Sequence, residues 1–151
     1  MATTTAAMSG TRVRERAEVS TSVHDGTIRA AGVIGLLGIG LIHFIDFFGK
    51  WHETRYMAWL FLALVASTVL ASFLLLGQQH AAGWVLGGAV SALTLAGYII
   101  NRTWGLPSAK DDIGNWTEPL GVASLFIEGF VFLLAIGVLT GALSTADRSK
   151  H

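Results

Sequence analysis

The stretch from Tyr56 to Leu76 contains no charged side chain, and it limits the possible folds more than any other part of the sequence. About 20 apolar residues in a helix are enough to cross a hydrocarbon layer of roughly 30 Å. An open sheet of this composition would leave backbone groups without hydrogen-bond partners in lipid, so a helix is predicted. Three further apolar stretches, each predicted to be a helix for the same reason, cover residues 28–48, 82–100 and 119–143.

The sequence therefore predicts an all-α fold, an integral membrane four-helix bundle over residues 28–143. A soluble helical bundle would show a polar stripe at a period of 3.6 residues, and the uncharged stretches show none. Charged residues make up 13% of the chain, about half the content of a typical soluble domain. Residues 1–27, rich in Thr, Ala, Ser and Arg, are predicted to form a disordered cytoplasmic tail, and residues 144–151 a C-terminal tail.

The charge balance and the lack of cysteine exclude several classes of function. Ten Lys plus Arg and ten Asp plus Glu give a formal net charge of zero, so no nucleic-acid partner is predicted. The chain has no Cys, which excludes disulfides, thiolate metal sites and iron–sulfur clusters. The predicted partner is the lipid bilayer, and the side chains left for metal ligation are His, Asp and Glu.

An even number of crossings places both termini on one side of the membrane, and the basic residues predict which side. Six Lys and Arg residues lie on the terminal side and four on the opposite side, so cytoplasmic termini are predicted. The chain is thus expected to be a multi-pass protein of the plasma membrane, which is the inner membrane of a bacterium. The six residues are Arg12, Arg14, Arg16, Arg29, Arg148 and Lys150, and the four are Lys50, Arg55, Arg102 and Lys110.

Small residues let membrane helices approach closely, and glycines recur at a spacing of three or four residues in three of the predicted helices. Such contacts form within one bundle or between copies, so a homo-oligomer and a complex with another membrane protein both remain open. Trp84 and the four other tryptophans lie near predicted helix ends, where an indole ring anchors a helix at the headgroups. The spaced glycines are Gly32, Gly35 and Gly38, then Gly83 and Gly87, then Gly137 and Gly141.

Side chains able to act as ligands concentrate on the side of the predicted membrane opposite the termini. At a rise of 1.5 Å per residue, Glu128 lies about 13 Å below the start of the fourth helix. A charged carboxylate there costs about 2.5 to 3.5 kcal/mol on insertion scales, which favours a paired, protonated or metal-bound group. The predicted site binds a small cofactor or a transition metal (Zn, Cu, Fe or Mn) through nitrogen and oxygen ligands. Its candidate ligands are His43, His52, Glu53, Glu118 and Glu128.

Each candidate also has a purely structural interpretation. His43 can pair inside the bundle with Asp46, three residues on along the same helix face. Glu128 can be a neutral or paired carboxyl that fixes helix register. Asn115 and Glu118 have the spacing of a capping box at the start of the fourth helix. His52 and Glu53 fit an exposed interfacial loop, and the E-x-x-H pattern of di-iron bundles is absent.

Three motifs in the second half of the chain resemble those of a group of small four-helix membrane proteins from high-GC Gram-positive bacteria. They read R-T-x-G-L-P from Arg102, D-x-G-N-W-x-E-P-L-G from Asp112 and S-L-x-x-E from Ser124. The resemblance covers residues 29–143, with weaker support from His43, His52 and Glu53. That group has no settled activity, so the likeness implies the four-helix fold and this choice of residues, and it implies no reaction.

Three functions are compatible with these features. The first is a binding module whose outward polar site holds a metal ion or small cofactor. The second is an accessory or structural subunit of a larger membrane complex. The third is a small proton-coupled transporter or channel that uses Glu128, since ionisable groups in membrane helices often mark ion pathways. An enzyme is not predicted, because no G-x-S-x-G motif occurs and the serines of the apolar helices can bond to backbone carbonyls.

Overall fold

The computed structural model describes residues 2–141, with side chains from Arg14 onward. Its four α-helices are all long and apolar enough to cross a membrane, which confirms the predicted all-α four-helix bundle of an integral membrane protein. A 3-10 helix, Lys110–Asp112, lies in the loop before the last α-helix. The α-helices are α1 (Ala2–Glu53), α2 (Arg55–Leu76), α3 (His80–Thr103) and α4 (Pro119–Leu139).

The helices pack in the ring order α1, α2, α3, α4, because α1 and α3 each contact both α2 and α4. Chain reversals at Thr54 and at residues 77–79 are short, so successive helices are antiparallel neighbours. We call the half of the bundle near residues 77–79 the turn half. The half near Thr54 and residues 104–118 is the loop half.

The hydrophobic core of the bundle lies in the turn half. Gly32 of α1 lies against the ring of Trp84, and Gly87 of α3 lies against Leu36, so these glycines serve contacts inside one bundle. Trp84 is 3% exposed, so its predicted role as a headgroup anchor is wrong. Because Gly32 has no side chain, the indole ring of Trp84 has room to pack in the core. The core consists of Leu36, Ile39, Ala71, Leu75, Trp84, Val131 and Ala135.

The first helix is longer than the sequence predicts. The sequence predicts a disordered tail over residues 1–27, but α1 begins at Ala2 and continues without interruption to Glu53. No proline interrupts this segment, and extending an existing helix adds one hydrogen bond per residue. A helix can therefore continue without an apolar core to pack against, and most side chains of residues 14–27 are exposed or half-buried. The predicted C-terminal tail, residues 144–151, lies outside the described residues.

The loop of residues 104–118 is held against the ends of the helices. Tyr56 donates a hydrogen bond to the carbonyl of Pro107 (2.7 Å), and Thr54 donates to the carbonyl of Ser108 (3.2 Å). The backbone N–H of Gly114 donates to the carbonyl of Arg102 (2.9 Å). Gly114 has a φ of 79°, a conformation that glycine adopts without steric cost. These contacts fix the loop across the end of the loop half.

Candidate functional site

A cavity of about 600 Å³ lies in the loop half, with residues of all four helices and of the loop in its wall. From Leu41 to Glu53, α1 has no buried residue, whereas in the turn half Leu36 and Ile39 are completely buried. The molecule thus has a packed half and an open half.

One side of the cavity is apolar and is formed mainly by α2 and α3. Two of its residues, Leu60 and Leu93, are 59% and 73% exposed although they line the cavity. They therefore border both the cavity and the outer surface of the bundle, so the cavity reaches that surface beside α2 and α3. The apolar side chains from these two helices are Met57, Leu60, Phe61, Ala63, Leu64, Val90 and Leu93.

The other side is polar, and α1 supplies much of it. His43, Asp46, Lys50 and Glu53 all line the cavity, and their spacing of three, four and three residues places them on one helix face. His52 is not on that face. Its side chain is exposed and its Nδ1 contacts the carbonyl of its own helix four residues earlier, at 3.1 Å.

The deepest polar group is formed by α1 and α4. His43 Nε2 lies 3.7 Å from Glu128 Oε1, which also accepts a hydrogen bond from Ser124 Oγ (2.5 Å). His43 Nδ1 lies 3.0 Å from the carbonyl of Ile39. Because a carbonyl only accepts, Nδ1 carries the proton, and in a neutral ring Nε2 is then a free acceptor. Glu128 is 1% exposed, and its Oε2 is buried without a hydrogen-bond partner among the described residues.

The mouth of the cavity is a network of ion pairs. Lys50 pairs with Glu53 (2.9 Å) and with Asp112 (3.6 Å). Arg102 pairs with Asp112 (3.0 Å) and with Glu118 (3.0 Å). Burial raises the pKa of Asp112, but the hydrogen bond from Asn101 and the charges of Lys50 and Arg102 outweigh it, and the pKa lies below its usual value. Each of the three acidic side chains at the mouth is therefore in contact with Lys50 or Arg102.

Glu118 has a structural task in addition to its ion pair. It is the N-cap of α4, and its carboxylate accepts a hydrogen bond from the backbone N–H of Gly121 (3.1 Å). The predicted cap at Asn115 is wrong, because α4 begins at Pro119, which fits the first position of a helix. The residue before that proline, Glu118, thus provides the cap.

The structure separates the five predicted ligands into three groups. His43 and Glu128 lie together, Glu53 and Glu118 line the same cavity at its mouth, and His52 lies outside it. Among the described residues, no group of three or more His, Asp or Glu side chains is arranged to hold a metal ion. A site for Zn, Cu, Fe or Mn stays a prediction.

Sequence reasoning missed three charged residues of the site. Lys50, Arg102 and Asp112 were counted for membrane orientation or as part of a motif, but not as parts of the cavity. The spacing from His43 to Lys50 is seven residues, two helical turns, and this signal could have found Lys50. The meeting of Arg102 and Asp112 depends on the path of the loop, which no periodicity predicts.

Comparison with known proteins adds no relative to this description. No protein-family model, no curated protein and no solved structure matches the chain. The resemblance to small membrane proteins of high-GC Gram-positive bacteria stays a prediction.

Proposed function

We propose that this chain is a multi-pass membrane protein that binds an amphipathic small molecule in the cavity of its loop half. One observation carries this proposal: a cavity of about 600 Å³ with an apolar wall on one side and polar groups on the other. Small-molecule sites in proteins typically have volumes of about 300–1,000 Å³, with mostly apolar walls and a few convergent polar groups. The volume and the wall of this cavity match that description.

The placement of the wall residues supports entry from the bilayer. Leu60 and Leu93 connect the cavity with the apolar surface of the bundle, and the loop of residues 104–118 lies across the end. A molecule dissolved in lipid can thus enter sideways with its apolar part first in contact with α2 and α3. Its polar part would then reach the groups on α1 and α4.

A metal ion is the second candidate ligand. In the cavity wall, Glu128 Oε2 has no hydrogen-bond partner among the described residues, and His43 Nε2 lies 3.7 Å from Glu128 Oε1. These are ligand types that Zn, Cu, Fe and Mn accept. They would supply two protein ligands, and further ligands would come from water or from a bound small molecule.

The proposed location is the plasma membrane, with both termini in the cytoplasm. The excess of basic residues on the terminal side supports this orientation. The cavity would then face outward, toward the outer leaflet.

Two glycine positions allow a sharp test of the cavity. A Cβ at Gly97, which lines the cavity, or at Gly129, which does not, would meet no atom within 4 Å. Gly97→Phe should fill the cavity, and Gly129→Phe is the matched control on α4. The probe is an uncharged long-chain alcohol with a diazirine group, photolysed in nanodiscs and mapped by peptide mass spectrometry.

The expected result is labelling of Met57, which is 6% exposed and lines the cavity. Gly97→Phe should abolish that labelling, and Gly129→Phe should preserve it. Labelling of Leu62, an exposed residue of α2, should be the same in all three proteins. Equal labelling of Met57 with and without Gly97→Phe would overturn the proposal. Elemental analysis of the same preparations, with His43→Ala as the control, tests the metal.

A further inference from the structure

The ligand of the cavity carries a positive charge on an apolar body, we infer, and the carboxylates of Asp46 and Glu128 bind that charge. A lipophilic ammonium ion is the chemical class that fits. The inference rests on the proposed function, since it specifies what enters the same cavity.

The wall of the cavity has more acidic than basic side chains. The wall has two basic side chains, Lys50 and Arg102, and five acidic ones. The acidic residues therefore outnumber the basic residues by three. His43 adds no charge while its ring is neutral. The five acidic residues are Asp46, Glu53, Asp112, Glu118 and Glu128.

The two basic residues are already paired with three of these acids. Lys50 contacts Glu53 and Asp112, and Arg102 contacts Asp112 and Glu118, all within 3.6 Å. Arg102 also lies over the ring of Tyr98, with 5.0 Å between the Cζ atom of Arg102 and the ring centroid. An anionic ligand would have to displace one of these acids, so the mouth does not favour an anion.

The two remaining acids, Asp46 and Glu128, have no Lys or Arg partner within 4.0 Å among the described residues. Glu128 accepts a hydrogen bond from Ser124 and lies near His43 and Thr94, and its buried Oε2 has no hydrogen-bond partner among the described residues. Asp46 lies one helical turn beyond His43 on the face that lines the cavity. A carboxylate without an ion-pair partner in contact is costly in apolar surroundings, and a cation bound in the cavity beside these groups reduces that cost.

The rest of the wall fits an organic cation better than a bare metal ion. Phe61 contributes an aromatic ring, a group that is common in sites for ammonium ions. A quaternary ammonium needs no ligand geometry, so two carboxylates and an apolar wall are sufficient. The cavity of about 600 Å³ also leaves room for the apolar body against Met57 and Leu64.

The test compares two probes of the same shape on the intact protein in nanodiscs. One is 4-phenylbutyl-trimethylammonium, and the other is its uncharged isostere, in which carbon replaces the nitrogen. Saturable binding is measured by equilibrium dialysis with empty nanodiscs subtracted. The variants are Glu128→Gln and Asp46→Asn, with Asp111→Asn as the control, because Asp111 is exposed and is not part of the cavity wall. Monodispersity and thermal midpoint establish that each variant is folded.

The ammonium should bind at least about tenfold more tightly than the isostere, as expected for a charge next to partly buried carboxylates. Glu128→Gln and Asp46→Asn should each weaken ammonium binding and leave the isostere unchanged, and Asp111→Asn should change neither. Equal binding of the two probes to the unmodified protein would overturn the inference while the proposed function stands. If neither probe binds and Gly97→Phe leaves the alcohol labelling of Met57 unchanged, both fail. Binding of Zn²⁺ alone that disappears in Glu128→Gln, with no ammonium binding, would replace the inferred ligand with a metal.

Discussion

His43 of α1 and Glu128 of α4 face each other inside the loop half, with 3.7 Å between His43 Nε2 and Glu128 Oε1. This distance is too long for a hydrogen bond. Each of the two side chains instead has a hydrogen-bond partner on its own helix. His43 contacts the carbonyl of Ile39, and Glu128 accepts a hydrogen bond from Ser124. Two acceptor atoms therefore meet in the cavity without a donor between them. That arrangement suits a site that receives its donor or its charge from a ligand.

Ser124 and Ser91 provide a matched pair for testing how Glu128 is held. Ser124 donates to Glu128, whereas Ser91 Oγ is buried without a hydrogen-bond partner among the described residues. Ser124→Ala should lower the free energy of unfolding by about 1–3 kcal/mol, because it removes the donor to a buried acceptor. Ser91→Ala should cause no loss. Thermal unfolding in detergent, followed by circular dichroism, measures both, and equal losses would contradict the assigned role of Ser124.

The turn half should be sensitive to substitution at Gly32. A Cβ there would overlap the ring of Trp84, which is in the core and has no room to move. Gly32→Ala should therefore lower the free energy of unfolding by about 1–3 kcal/mol, a typical cost of overpacking. Gly26→Ala on the same helix is the control, since a Cβ at Gly26 meets nothing within 4 Å. An unchanged unfolding midpoint for Gly32→Ala would mean that Trp84 is not packed against α1.

The fold was predictable from the sequence to a larger extent than the site. Hydropathy alone predicts the four helices, because uncharged stretches such as 56–76 have no stable alternative in lipid. It did not predict that α1 extends to Ala2, since a solvated helix has no apolar periodicity to reveal it. Trp84 was misjudged for a related reason: nearness to a helix end does not tell whether a side chain points inward.

The site was predicted in part. The depth of Glu128 below the start of its helix and the helix face shared by His43 and Asp46 follow from helix geometry. All three side chains line the cavity. His52 was included because it is near in sequence, but it points away from that face. The pairing of Arg102 with Glu118 spans a loop of irregular conformation, and single-sequence periodicity carries no information about such contacts.

The loop should lose stability in acid through Asp112. Burial raises the pKa of Asp112, but the hydrogen bond from Asn101 and the charges of Lys50 and Arg102 outweigh it, and the folded pKa lies below 3.8. A carboxyl with a lowered pKa stabilises the fold above its unfolded pKa, and this stabilisation is lost as pH falls through the folded pKa.

The midpoint temperature of unfolding should therefore decrease when the pH is lowered below about 4, which is near the unfolded pKa of an aspartate. Asp112→Asn should lower the midpoint at neutral pH and flatten its dependence in acid. Asp111→Asn, at the exposed neighbouring position, should leave the profile unchanged. An Asp112→Asn profile parallel to that of the unmodified protein would show that the ion pairs of this residue do not stabilise the loop.

The lack of cysteine makes the proposed orientation directly measurable. Gln78→Cys places one thiol in the turn half, and Thr117→Cys places one in the loop, both at exposed positions. With cytoplasmic termini, a membrane-impermeant maleimide should label Thr117→Cys in intact bacterial cells and should label Gln78→Cys only after the membrane is permeabilised. The reverse pattern would place the termini and the packed half outside. The cavity would then open toward the inner leaflet, and its ligand would have to come from the cytoplasmic side.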